Sequence, residues 1–151
     1  MNIRSSVCAL ILKDNQILTI KKQDKGIIEF ILPGGGQEFG ETLLDALHRE
    51  VREEVGASIK NVRLIFVREY IGKNHEHLER DQELHIVSHI FSCEIAEENK
   101  YQLEPDHDQV GIEWIKIEEL NNYNFYPKEL TNHLHKLSNN TSFESYIGDV
   151  N

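Results

Sequence analysis

At 151 residues, with 39% hydrophobic and 28% charged content, the chain suits one globular domain rather than a disordered segment. No run approaches the roughly 18 apolar residues of a membrane span, and the apolar residues 7–12 are too few for a signal-peptide core, so a cytoplasmic protein without a membrane partner is expected. A net charge of −10 speaks against a broad nucleic-acid surface but suits carboxylates that hold a divalent cation against a small phosphorylated substrate.

Residues 5–12 and 16–22 are apolar β-type runs split by Lys13-Asp14-Asn15, a hairpin signal. Residues 27–32 form a third short strand, stopped by Pro33 and the triplet Gly34-Gly35-Gly36. From 41 to 55 the period becomes helical: Leu44, Leu47, Val51 and Val55 make a stripe, and Gly56 supplies the stop. Residues 62–71 and 84–95 read as longer strands joined by a polar loop, 72–83. After an acidic stretch, 97–111, come a strand at 112–117, a helical turn at 118–122 and a helix at 127–137 faced by Leu130, Leu134 and Leu137. Residues 1–140 are expected to be one domain, with 141–151 as a flexible tail. Cys8 and Cys93 lie in strand-like runs and are expected to be buried free thiols. Strands before, between and after two helices predict an α/β protein with a mixed sheet between helices.

The segment 35–57, GGQEFGETLLDALHREVREEVGA, carries the chemistry. Glu50, Glu53 and Glu54 stand at i, i+3 and i+4, neighbours on one helix face whose like charges repel by a few tenths of a kcal/mol per pair. At about 100° per residue they fall beside the apolar stripe, so one flank can be buried while the carboxylates face a cleft. Hard oxygen donors so stacked suit Mg²⁺ or Mn²⁺.

Written out, the spacing is G-x5-E-x7-R-E-U-x-E-E-x-G, with Gly35, Glu41, Arg49, Glu50, Val51, Glu53, Glu54 and Gly56 at the fixed positions. This resembles the signature of the Nudix hydrolase family; Ala57 departs from it by being smaller than the usual aliphatic residue. The preceding Phe30-Ile31-Leu32-Pro33-Gly34 and the later Glu113-Trp114 are also similar to the family's surroundings. The resemblance implies an α/β/α sandwich and Mg²⁺-dependent hydrolysis of the pyrophosphate in a nucleoside diphosphate linked to another moiety, with Mn²⁺ as an alternative ion. It implies a catalytic set of Glu50, Glu53, Glu54 and Arg49. Glu53 and Glu54 would be the main metal ligands, Glu50 a ligand or the base that orients water, and the Gly34 carbonyl a further ligand. Arg49 would hold the glutamates in place, and Glu41 would anchor the loop.

Beyond the signature, Asp108 is chosen from Glu104, Asp106, Asp108 and Glu113 as one more acidic ligand or base. Lys21, Lys22 and Arg68 are candidates for binding substrate phosphate or ribose. His85 and His89 are read as half-buried strand residues. The partner expected is a small-molecule nucleotide: nucleoside triphosphates first, ADP-ribose or nucleotide sugars second, dinucleoside polyphosphates third. A homodimer is compatible with this reading. The rivals are a non-catalytic nucleotide-sensing Nudix module and a prenyl diphosphate isomerase, which would need a reactive cysteine in the cleft.

Overall fold

Alternation along the first strand decides the layering. In β1 (Arg4–Lys13), Val7, Ala9 and Ile11 point into one core and Leu10 into another, with Cys8 and Leu12 packed against the second. A computed structural model describes residues 2–151. Asp14 and Asn15, both at positive φ (49° and 61°), turn the chain into β2 (Gln16–Asp24), the geometry of a tight two-residue hairpin.

Then come β3 (Ile27–Ile31), the glycine strand β4 (Gly34–Gly36), α1 (Leu43–Val55), β5 (Ser58–Ile71), the single-turn α2 (Leu78–Asp81), β6 (His85–Glu97), β7 (Gln109–Lys116), β8 (Phe125–Tyr126), α3 (Leu130–Ser138) and β9 (Tyr146–Asp149). The strands run β8-β3-β2-β1-β6-β5-β9, with β4 paired to β1 and β7 to β2. β1 and β2 pair only next to their turn, at Leu12–Ile17 and Lys13–Gln16, so the sheet splays into two limbs beyond it. β1 with β6, β3 with β8 and β5 with β9 are parallel and the other pairs antiparallel, which makes the sheet mixed. On one side, Ala46, Leu47 and Val51 of α1 pack on Val7, Ala9 and Ile11. On the other, Leu130 and Leu134 of α3 share a core with Leu10, Phe66, Ile90 and Phe125. The α/β class with a mixed sheet between helices is therefore what the chain adopts.

Three boundaries and one core position differ from expectation. α1 starts at Leu43 because Thr42 caps it: Asp45 N–H donates to Thr42 Oγ1 (3.1 Å) and Thr42 N–H to Asp45 Oδ2 (2.9 Å). Leu44 leaves the stripe, 48% exposed, and Ala46 takes its place in the core. β5 begins at Ser58, directly after Gly56 ends α1 in the left-handed region (φ 71°), and buried Ala57 shows why a small residue suits that corner. The expected flexible tail is instead built into the sheet. β9 lies beside β5, Phe143 packs edge-on against Phe66 (5.4 Å between ring centroids), and Asp149 accepts from Ile71 N–H (2.9 Å) and Asn74 Nδ2 (2.7 Å).

Candidate active site

The glycine strand is pressed so closely between β1 and α1 that Gly34 and Gly35 leave no room for side chains. A Cβ on Gly34 would collide with the Val7 carbonyl, and one on Gly35 with the Glu50 carboxylate. This approach lets Gly34 N–H donate to Glu54 Oε2 (2.8 Å). Glu54 is only 3% exposed, and burial, reinforced by Glu50 nearby, pushes its carboxyl up to about 8 despite that bond and the charge of Lys22. Burial also raises Glu50, against the pull of Arg49. Two carboxylates are thus held where water solvates them poorly, an arrangement that a proton or a cation relieves.

Arg49 organises the rest. Its Nε and Nη2 grip both oxygens of Glu41 (2.7 and 2.9 Å), Nη1 donates to Glu50 Oε1 (2.7 Å), and Nη2 also reaches the Gly36 carbonyl (2.9 Å). Glu53 lies at the edge of this fork, 3.5 Å from Nη1. The Arg49 fork, with help from the Glu38 N–H, holds Glu41 down at about 2. Glu41 precedes the helix, so it anchors the loop through Arg49 rather than by sitting in the first turn.

The acidic segment after β6 folds back beside α1. Glu104 N–H donates to the Glu53 carbonyl (2.8 Å) and Gln109 Nε2 to the Glu54 carbonyl (2.9 Å). Lys22 then meets Asp106 (3.3 Å) and Asp108 (3.1 Å). Both aspartates are therefore engaged with Lys22, and the charge of Asp106 is also felt at Glu50 and Glu54. Nothing in the spacing before Trp114 separates these two aspartates. Lys21 points to the other face of β2 and sits over the Phe30 ring (5.9 Å), away from the carboxylates.

Arg68 is brought to the site region by another route. A cleft of about 270 Å³ opens beside the glycine strand, lined by Arg4, Ser6, Cys8, Arg68, Ser88 and Tyr126 among others. Arg4, Ser6, Ser88 and Tyr126 carry no sequence signal, because strands far apart in the chain assemble them. Cys8 lines this cleft rather than being wholly buried, yet desolvation raises its thiol to about 11, which keeps it protonated; Cys93 is buried as expected. His85 bonds Glu69 (2.7 Å) and His89 donates through Nδ1 to the Ser6 carbonyl (3.0 Å), so both serve the strands. A larger groove, about 790 Å³, lies at the other end of β1 against Trp114 and Leu137, and it contains none of the residues of the carboxylate cluster. Chemistry, not size, locates the site.

The family model for the NUDIX domain matches residues 2–135. The chain belongs to the Nudix hydrolase family. A nucleoside triphosphatase NudI of Escherichia coli is 32% identical over 129 residues, spanning 82% of this chain and 89% of that one. Among solved structures, this Nudix hydrolase is similar to a MutT NUDIX hydrolase from Burkholderia pseudomallei (TM-score 0.71, 19% identity, 91% and 99% covered). It is also similar to an ADP-ribose pyrophosphatase from Streptococcus suis (0.66, 16%, 97% and 98%). At these identities the two structures speak to the fold alone.

Nudix hydrolases use divalent cations, and the donor set fits one. Among the described residues no three acidic, His or Cys side chains converge as a closed cage. Mg²⁺ does not need one, since it keeps several waters and takes one or two carboxylates together with substrate phosphate oxygens. The buried Glu54 and its neighbour Glu50, with Glu53 at the rim, could supply such carboxylates.

Proposed function

We propose that the protein is a Mg²⁺-dependent nucleotide pyrophosphohydrolase whose substrates are nucleoside triphosphates. One observation carries this reading: Glu50 and Glu54 are desolvated beside the glycine strand and fixed by Arg49 and Gly34 N–H, which leaves their charge to be balanced by a cation. The relationship to nucleoside triphosphatase NudI, at 32% identity, favours triphosphates over the other substrates of the family.

Glu53 and Glu54 would hold the cation, with the Gly34 carbonyl completing the set and Asp106 or Asp108 adding negative charge. When bound, the ion screens the phosphate oxygens and makes a coordinated water more acidic. The chain's own residues then do the positioning. Arg49 holds Glu50 by Oε1, leaving Oε2 to orient a water and accept its proton as the water oxygen attacks phosphorus. The P–O bond of the α–β bridge breaks as the new one forms, which releases nucleoside monophosphate and pyrophosphate. Lys22, already between two aspartates, can turn to a phosphate oxygen, while Lys21 is placed for no such role. The reading includes a cytoplasmic setting, in keeping with two free thiols, and Mn²⁺ as a substitute ion. It leaves a homodimer open to measurement by sedimentation.

Product analysis tests it. With Mg²⁺, a deoxynucleoside triphosphate should yield nucleoside monophosphate and pyrophosphate. Turnover of ADP-ribose or a nucleotide sugar, with triphosphates untouched, would move the assignment to that substrate class.

A further inference from the structure

The cleft has two chemically distinct ends. Register places Gly36, Ser6, Ser88 and Arg68 in one row across β4, β1, β6 and β5. At about 4.8 Å per strand, the Arg68 Cα lies roughly 14 Å from that of Gly36, whose carbonyl Arg49 holds beside the carboxylates. A pyrophosphate bound at the carboxylates therefore leaves the nucleoside to reach toward Arg68. Around that end the walls are Leu32, Ile86, Ile90, Tyr126 and Pro127, flat and apolar surfaces that suit an aromatic ring better than a hydrated phosphate.

Within this end the Arg68 guanidinium is oddly supplied. Its Nη1 donates to the Val150 carbonyl (2.6 Å), one residue beyond β9, and the guanidinium lies 6.0 Å from the centre of the Tyr70 ring. Among the described residues its Nε–H is buried with no partner, and no carboxylate lies within ion-pair distance of it. Asp149, the nearest acid on that strand, is already taken by Ile71 N–H, Asn74 and His75. A buried donor left unmatched is unfavourable, and natural structures seldom keep one without reason.

Resting on the triphosphate reading above, we propose that Arg68, clamped by the Val150 carbonyl, reads the nucleobase and selects bases that present a ring carbonyl oxygen over adenine. Arginine only donates. Its fork matches adjacent acceptors such as O6 and N7 of guanine. Cytosine offers O2 and N3, and thymine or uracil a carbonyl oxygen. Adenine sets its exocyclic amino donor beside N1 and beside N7, so one donor of the fork faces another donor there. The C-terminal strand thereby becomes part of the specificity apparatus.

The experiment measures kcat/KM for dGTP, dCTP, dTTP and dATP with wild type, Arg68→Lys and Arg68→Met. Calorimetric Kd values for the matching α,β-methylene triphosphates are measured alongside. Wild type should favour the carbonyl bases over adenine by at least tenfold in both quantities. Both variants should bring the ratio to within threefold, because lysine keeps the charge and loses the fork. A uniform loss across all four bases that lysine restores would overturn the proposal in favour of phosphate binding. Equal Kd values for adenine and the others in wild type, or no binding of any, would also overturn it. Turnover of no triphosphate would sink the triphosphate reading, while the Kd comparison would still decide Arg68.

Discussion

Glu54→Gln should make the metal-free protein more stable at alkaline pH while disabling it. The folded carboxyl sits near 8 against an ordinary 4.5 because it is 3% exposed and shares its site with Glu50. Since the folded value is the higher one, this group's contribution is intact below pH 4.5 and is lost as pH rises toward 8. At 1.36 kcal/mol per pH unit the interval corresponds to an upper bound of about 5 kcal/mol. If a third of that is realised, roughly 1.5 kcal/mol, a domain of this size gains about 3–6 °C in Tm. Glutamine removes the buried charge and keeps an oxygen for Gly34 N–H. The assay is thermal unfolding at pH 8.5 in EDTA and again in Mg²⁺. Wild type should rise in Mg²⁺, by about 1.4 kcal/mol at ten times Kd. The variant should start higher and gain little. A variant less stable than wild type in EDTA, or one that gains as much from Mg²⁺, would refute the account of Glu54 as a carboxylate kept for a cation.

Arg49→Met should lower kcat by about 10- to 100-fold with a smaller change in KM, because the glutamates lose the fork that orients them; steady-state kinetics reads this directly. Gly35→Ala should destabilise by about 1–3 kcal/mol and lower turnover together, since the new methyl meets Glu50; denaturant unfolding and an activity assay check it. Asp106→Asn should reduce turnover more than Asp108→Asn, because the charge of Asp106 is the one felt at Glu50 and Glu54; equal effects would remove the distinction. Asp149→Ala should cost about 1–3 kcal/mol by leaving Ile71 N–H without its acceptor, and limited proteolysis should then open residues 141–151 first.

What could be read along the chain was what is written locally. The hairpin at Asp14-Asn15 and the helix stop at Gly56 depend on nearby residues, and the structure keeps both, whereas the triplet Gly34-Gly35-Gly36, read as a stop, pairs with β1 as a strand of its own. Leu44 was misassigned because the helical period admits it, whereas Ala46 is the residue that α1 buries against Val7, Ala9 and Ile11. β9 escaped notice because a four-residue strand with Ile147 as its apolar contact owes its order to β5, more than 70 residues earlier, and to Asp149. Lys21 and Lys22 looked equivalent; only the pairing of β2 shows that alternate faces separate them. Arg68 was picked out by charge alone. Its partner Val150 and its neighbours Ser6 and Ser88 come from three other strands or their ends, a juxtaposition that periodicity does not encode.

In the reading proposed above, Glu54, bonded to the glycine strand, and Glu53 beside it hold the cation that pyrophosphate hydrolysis needs. The most direct test of that reading is pyrophosphate release from a deoxynucleoside triphosphate as Mg²⁺ is titrated into wild type, Glu53→Gln and Glu54→Gln. The account predicts saturable Mg²⁺-dependent release by wild type, abolished by EDTA, and a loss of at least 100-fold in each variant with the fold retained. Release that is indifferent to Mg²⁺, or variants as active as wild type, would contradict it.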